Sequence, residues 1–479
     1  MEPRVERFRP DQSTNVVAEL PSATLRVRAV QLEVTSGPDA SARARIDKPT
    51  FTIGTGDGVD LRLSDDTVSR EHLRISLRGD GVHLRDEGST NGTWIDTMRV
   101  SDVTLSTGAV LTLGSTTIAL QVDAVPIDLP VSESSRFGDA IGDSAMRVRE
   151  ILRRRGHISE LYAMTMDDDL RGDVRSWVEA DARRGDVTIF HFALPSPMTA
   201  AFATLDGGRV LQYHNITPAH YFAPYDPGMF RLAVVGRDEL ATLAGHVDLA
   251  LGDSQYNCDE LDRLGFVPTG VFPIAVNLER LTSAPRRPAL AKVLGDGLTN
   301  ILFVGRIAPN KKVDDHIRLA EHYKRYVDAF YRFIFVGKVD AVPTYYATVR
   351  ALMIEFQMPA DRFLFTGPLP DDDLAEIYRQ SHAYVSLSEH EGFCVPLVEA
   401  MAMEVPVLAF GAAAVPETLG GAGLSFAPKD LELAAELLGT LVFDESVRRR
   451  IVEGQRERLS AFGEARMERA VDQLLESFA

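Results

Sequence analysis

The feature that most constrains this chain is a change of hydrophobic period near residue 124. From Ala23 to about Asp123, short β-rich runs ("TLRVRAVQLEV", "HLRISL", "GVHLRD", "TIALQV") are separated by Gly, Asp and Ser turns, and that spacing predicts an all-β sandwich over 23–123. After Arg136, apolar strands such as "DVTIFHF", "RVLQYH", "NILFVGR", "YRFIFVGK", "AYVSLS" and "VPVLAF" alternate with amphipathic helical stretches. Uniformly apolar strands are buried on both faces, so they predict parallel sheets covered by helices. No single core accommodates both patterns, and 479 residues exceed what one core usually holds. Between them, "AVPIDLPVSESS" (124–135) lacks periodicity and reads as a linker, and residues 1–22 read as a mobile polar tail. A Pro- and Gly-containing stretch near 284–297 divides the α/β region into two halves, 136–282 and 283–479. Ligands bind such halves in the cleft outside the carboxyl ends of the strands.

Composition excludes several functions. A net charge of −18 works against nucleic acid, whose binding needs clustered Lys and Arg. Cys258 and Cys394 lie far apart, without the spacing of a disulfide framework or a zinc site. The N-terminus "MEPRVERFRPDQST" has no apolar signal core, and the run from Val187 is interrupted by His191, Pro195 and Pro197. A cytoplasmic location is expected, with at most peripheral contact at the inner face of a membrane.

Two loops carry candidate chemistry. In "SEHEGFCVPLVEAMA" (388–402), Pro396 suits a first helical position, and the free N–H groups of such a helix start favour an anion. Gly392 permits close backbone approach to a ligand. Glu391 and Glu399 flank this start; taken alone, one is a solvated acid and the other complements the helix dipole. In "LFVGRIAPNKK" (302–312), Arg306 and Lys311 lie just beyond a buried strand, where a guanidinium and an ammonium suit a diphosphate.

With both loops present and in this order, residues 136–479 resemble the retaining glycosyltransferases of family 4, which have the GT-B fold of two facing Rossmann-like domains. Glu391 through Glu399 match the family's Glu, seven residues, Glu signature, and Gly305, Arg306 and Lys311 match its basic loop. The resemblance implies that Arg306 and Lys311 hold the diphosphate of a nucleotide sugar and that Glu399 accepts from the ribose diol. It further implies that Glu391 meets the donor sugar's hydroxyls, assisted by the backbone at Gly392, Phe393 and Cys394. The implied co-substrate is the nucleotide sugar itself, with no further cofactor and no metal. The implied acceptor is a glycan, a lipid-linked sugar or a small molecule.

In the first half, Gly138 and Gly142 precede a helix in what the resemblance makes the first active-site loop. His214 ends a buried strand where the family places a histidine near donor sugar and acceptor, and His191, ending the preceding strand, is the second candidate. In "AMRVREILRRRG", Val148, Ile151 and Leu152 share one face, with Arg147, Arg153, Arg154 and Arg155 mostly elsewhere. That pattern fits a packed helix with a solvated basic face, and less well a membrane-surface helix.

The β-region resembles a forkhead-associated (FHA) domain, through Gly54, Ser69-Arg70-x-His72 and Gly88-Ser89-Thr90-Asn91-Gly92-Thr93. Such domains read phosphothreonine. The resemblance implies that Ser69 and Arg70 contact phosphate, that Asn91 holds the peptide backbone, and that His72 is structural. Thr55 stands where the family commonly has Arg, a loss worth about 1.5 to 3 kcal/mol of phosphate contact unless another group substitutes. Two readings stand: a glycosyltransferase tethered by its FHA module, or a phosphopeptide-binding protein whose GT-B body no longer catalyses. A regulatory ATPase is a third, but the chain lacks a GxxxxGK[ST] phosphate loop.

Overall fold

The computed structural model describes residues 24–46, 50–78, 81–95, 98–105, 108–130, 140–163, 173–177 and 185–478. The expected tail and Gly138 lie outside these residues. The chain forms two compact units, Met1–Glu133 and Ser134–Ala479.

The first unit is the expected sandwich. In spatial order, one sheet runs Arg43–Ile46, Thr24–Ser36, Thr116–Pro130, Ala109–Leu113, Thr93–Ile95 and Met98–Val100. The other runs Leu61–Arg62, Thr50–Gly54, Leu73–Arg78, Gly81–Asp86 and Asp102–Leu105. Alternating residues of both sheets, including Val30, Leu32, Ile53, Ile75, Leu84, Leu111 and Ile118, close one apolar core. The expected linker needs correction at its start, because the strand from Thr116 continues to Pro130 and pairs with Thr24–Arg28. Its prolines suggested a break. They are tolerated because the register shifts between Arg28 and Val30 and because Ala109–Leu113 pairs only as far as Leu120. The strand's second edge therefore requires no N–H donor beyond that point.

In the second unit, Val187–Phe192, Gly208–Tyr213, Leu249–Gly252 and Thr269–Val271 form a parallel sheet in sequence order. The other half carries a six-stranded parallel sheet in the spatial order Phe363–Gly367, Tyr331–Val336, Thr299–Val304, Ala383–Ser386, Val407–Phe410 and Leu424–Phe426. Its first three strands in sequence extend one way from Thr299–Val304 and the last three extend the other way. The order reverses between Thr299–Val304 and Ala383–Ser386, which pair at Ile301 with Ala383 and Leu302 with Tyr384. A crevice opens at such a reversal, because the chains leaving the two strands diverge.

The C-terminal helix Glu464–Glu476 packs back on the first half, where Met467, Val471 and Leu474 share a core with Val148 and Ile151 of helix Ala140–Arg154. Arg154 reaches Glu464 at 2.7 Å and Glu468 at 3.2 Å, and Arg155 reaches Asp472 at 2.9 Å. The basic face is thus partly paired with another helix, and Arg149 is buried against Asp173. Gly142 also needs correction, since it lies inside this helix and not before it. Among the described residues no helix is long and apolar enough to cross a membrane.

Candidate functional site

Both signature loops leave the two strands at the sheet reversal. Thr299–Val304 runs into Gly305, whose N–H donates to the Val336 carbonyl at 2.8 Å, and then into exposed Arg306. The turn Pro309–Lys311 brings Lys311 Nζ within 2.6 Å of both Glu391 carboxylate oxygens. Asn310 Nδ2 donates to the His390 carbonyl at 3.1 Å, which fixes one loop on the other. Glu391 is buried, yet its carboxylate retains lone pairs beyond those facing Lys311.

Helix Val395–Ala402 starts one residue before Pro396 and buries Leu397, Ala400 and Met401. Its N-cap, Cys394, has φ 73°. The N–H groups of Gly392, Phe393 and Cys394 donate to no group among the described residues, so a helix start and its loop present unpaired donors beside Glu391. The Phe393 side chain packs edge-on against Phe462 and belongs to an apolar cluster with Ile274 and Val398. Glu399 is 3% exposed; it accepts from Tyr378 Oη at 3.0 Å and is paired with Arg280, which also pairs with Asp371. Burial raises the Glu399 carboxyl above its ordinary value, against the pull of Arg280.

Gly392 faces the first half of the unit. A Cβ there would lie 2.7 Å from Asn215 Cβ, 3.1 Å from the His214 carbonyl and 3.3 Å from Asn257 Nδ2. The glycine's missing side chain admits the opposite loop, a different neighbour from the ligand expected there. Ser254 Oγ donates to the Gly392 carbonyl at 2.7 Å, and His390 Nε2 lies 2.5 Å from Asn215 Oδ1. Glu417 caps the helix Gln255–Arg263 from across the same seam, accepting from the Gln255 N–H at 2.8 Å.

His214 is buried with both ring nitrogens engaged: Nδ1 lies 2.9 Å from Asp253 Oδ2 and Nε2 lies 2.9 Å from His191 Nδ1. The expected histidine therefore bonds inward, and His191 is the ring with a nitrogen to spare.

In the β-sandwich, Ser69 and Asn91 are tied into neighbouring loops. Ser69 Oγ accepts from the Thr90 N–H at 3.1 Å, and Asn91 Nδ2 donates to the Thr67 carbonyl at 2.8 Å. His72 is fully buried; its Nδ1 accepts from the Ser69 N–H at 3.1 Å and its Nε2 meets the Gly92 carbonyl at 3.2 Å, so one ring joins both recognition loops. Arg70 is exposed; its carbonyl accepts from the Gly56 N–H at 3.0 Å, and its guanidinium has no partner among the described residues. Thr55 turns its hydroxyl toward the Val68 carbonyl at 3.5 Å.

Sequence reading missed Arg280, Asp253, Asn215 and Arg99. Arg99 lays its guanidinium along Gly92, where an added Cβ would collide with Nε. Arg280, Asp253 and Asn215 have no local signal, since each acquires its role from a partner far along the chain, whereas Arg99 meets Gly92 from the adjacent strand of its own hairpin.

A family model described as "Glycosyl transferases group 1" matches residues 292–458, and one described as "Inner membrane component of T3SS, cytoplasmic domain" matches 33–123. Over 103 residues the chain is 39% identical to the FHA domain-containing protein FhaB of Mycolicibacterium smegmatis, a match covering 21% of this chain and 66% of that protein. Over 81 residues it is 37% identical to the O-antigen chain mannosyltransferase B of Escherichia coli, covering 17% of this chain and 21% of that one. The chain thus spans less than two thirds of each of these relatives. The Anabaena Alr3699/HepE structure in complex with UDP-glucose superposes with a TM-score of 0.57 at 15% identity, covering 72% of this chain and 98% of that one, and shares the fold.

Proposed function

Since the chain carries a group 1 glycosyl transferase domain of GT-B fold behind an FHA domain, we propose that it moves a sugar from a nucleotide diphosphate sugar to a hydroxyl acceptor, with retention at the anomeric carbon as in family 4. One observation carries the reading: the two loops that leave the sheet's reversal point meet there, with Lys311 Nζ bonded to both Glu391 oxygens beside unpaired backbone donors. Arg306, Lys311 and the helix start take the diphosphate, Glu399 takes the ribose diol, and Glu391 takes sugar hydroxyls. Gly305 shapes the basic loop beside them. As the anomeric C–O bond to phosphate breaks, the acceptor oxygen bonds to the same face of the sugar and its proton passes to the departing diphosphate. Cations fixed where that charge grows supply a factor of about 10² to 10³ per contact. The acceptor is a glycan or a lipid-linked sugar, and the chain works in the cytoplasm.

The FHA domain places the enzyme on a phosphothreonine-bearing protein. Ser69 and Arg70 receive the phosphate, Arg99 adds a cation where Thr55 supplies none, and Asn91 holds the peptide.

Binding of UDP, GDP and ADP to the wild type and to Glu399→Ala tests the reading. One nucleotide is expected to bind clearly best, with its affinity reduced in the variant while the melting curve stays cooperative. Equal, undetectable binding of all three would leave a phosphopeptide-binding protein with an inactive body.

A further inference from the structure

A recess lies at the amino edge of the six-stranded sheet, opposite the edge that carries the two signature loops. Ser381 and His382 lead into the strand Ala383–Ser386 there, and Pro406 leads into Val407–Phe410. With one side of helix Glu445–Leu459 they enclose ≈ 270 Å³. That is room for a small molecule, just under the span of about 300 to 1,000 Å³ usual for drug-sized ligands.

Three arginines of that helix line the recess, in a chain whose net charge is −18. Two of them are matched by acids on the spot: Arg456 Nε donates to Glu404 at 2.8 Å, and Arg449 donates to Glu445 at 3.3 Å. The guanidinium of the third, Arg448, has no partner among the described residues. His382 adds a second free donor. Its Nδ1 accepts from the Asn300 N–H at 3.0 Å, so the neutral ring carries its proton on Nε2, which has no described partner. The backbone N–H of His382 donates in turn to the Asn300 carbonyl at 2.8 Å, which holds the residue to the neighbouring strand. Burial, and then the charge of Arg448, keep this imidazole below its ordinary 6.5 and therefore neutral.

A guanidinium fork and an imidazole N–H can only donate, and the nearby carboxylates are already engaged. A ligand that satisfies both donors is an anion with several oxygens. A phosphate monoester brings three acceptor oxygens, enough for the fork and the ring together, and its charge matches the one unneutralised arginine. We propose that this recess binds a small soluble phosphate monoester through Arg448 and His382, with Arg449 and Arg456 completing the positive surroundings. The site is independent of the glycosyl transfer reading, because Arg306, Lys311 and Glu391 leave the opposite edge of the sheet.

The test is nitrogen-15 resonance on the full chain labelled at histidine, with the His382 signal assigned through His382→Gln. Because that readout is local, phosphate held at Arg306 or Arg70 does not imitate it. Glycerol 3-phosphate is expected to move the His382 Nε2 signal saturably, with a dissociation constant below about 1 mM. Glycerol should leave it unmoved. Arg448→Gln, at an exposed residue whose side chain has no partner to lose, should weaken the response about tenfold or more by removing a charge-assisted contact. Arg450→Gln removes the same charge two positions on, outside the recess, and should weaken it far less. Equal weakening by both variants, full affinity in Arg448→Gln, or a constant above that limit would overturn the proposal. So would a response to inorganic phosphate alone, which would leave an adventitious ion only, or a response to phosphatidic acid vesicles with none to glycerol 3-phosphate.

Discussion

Replacing Gly392 by alanine separates two explanations for a glycine in the signature loop. If glycine is there so that a ligand can approach, Gly392→Ala obstructs the ligand and leaves the fold alone. The structure points instead to packing between the halves, since the added methyl would stand 2.7 Å from Asn215 Cβ and 3.1 Å from the His214 carbonyl, closer than carbon atoms pack. Neither neighbour is the tip of a flexible side chain, so the seam between the halves must yield. Overpacking of this kind costs about 1 to 3 kcal/mol. Asn215 has φ 72°, which glycine adopts freely, so Asn215→Gly removes the obstructing Cβ without backbone strain. It also loses the contacts to His390 at 2.5 Å and Asn257 at 2.8 Å, each worth about 1 kcal/mol. Both single variants should therefore lower the urea midpoint of the α/β unit. The double variant should be more stable than the sum of the single losses by about 1 to 3 kcal/mol. Gly454→Ala is the control, since nothing lies within 4 Å of its added carbon; it should gain about 0.5 to 1 kcal/mol from helix propensity. Strict additivity of Gly392→Ala and Asn215→Gly would refute the argument and return Gly392 to the ligand.

Two further outcomes concern the β-sandwich. Thr55→Arg should strengthen binding of a phosphothreonine peptide about tenfold or more, measured by fluorescence anisotropy, because a charge-assisted contact is worth about 1.5 to 3 kcal/mol; no gain would mean that Arg99 or another group already fills the role. Burial holds the His72 imidazole below its ordinary 6.5, so the unfolded chain binds this proton more readily than the folded one. The stability that His72 contributes is complete above pH 6.5 and declines as pH falls toward the depressed folded value. Thermal melts of wild type and His72→Gln between pH 7.5 and 5 should converge toward the acid end, and parallel curves would remove His72 as the cause.

What the sequence made legible is what a strand's end determines. Apolar runs locate the strands, and the residues just past them, Gly305 to Lys311 and Ser388 to Glu391, are placed at the carboxyl edge whatever the helices do. Their meeting also needs the two strands to be neighbours, and periodicity does not contain strand order. The Ile301–Ala383 pairing joins residues far apart in the second half, and the family resemblance, more than any local pattern, brought those loops together. Pairings across such spans stayed invisible for the same reason. Arg280 to Glu399, Asn215 to His390, and Arg154 to Glu464 join residues whose local context reads as ordinary surface charge or loop. The histidines show the limit most clearly. Each ends a strand, and parallel pairing sets His191 opposite Gln212, two residues before His214. Register alone thus places both histidines at one sheet edge. It does not say which ring bonds inward; that depends on Asp253, carried just past the end of the next strand, whose carboxylate engages His214 Nδ1.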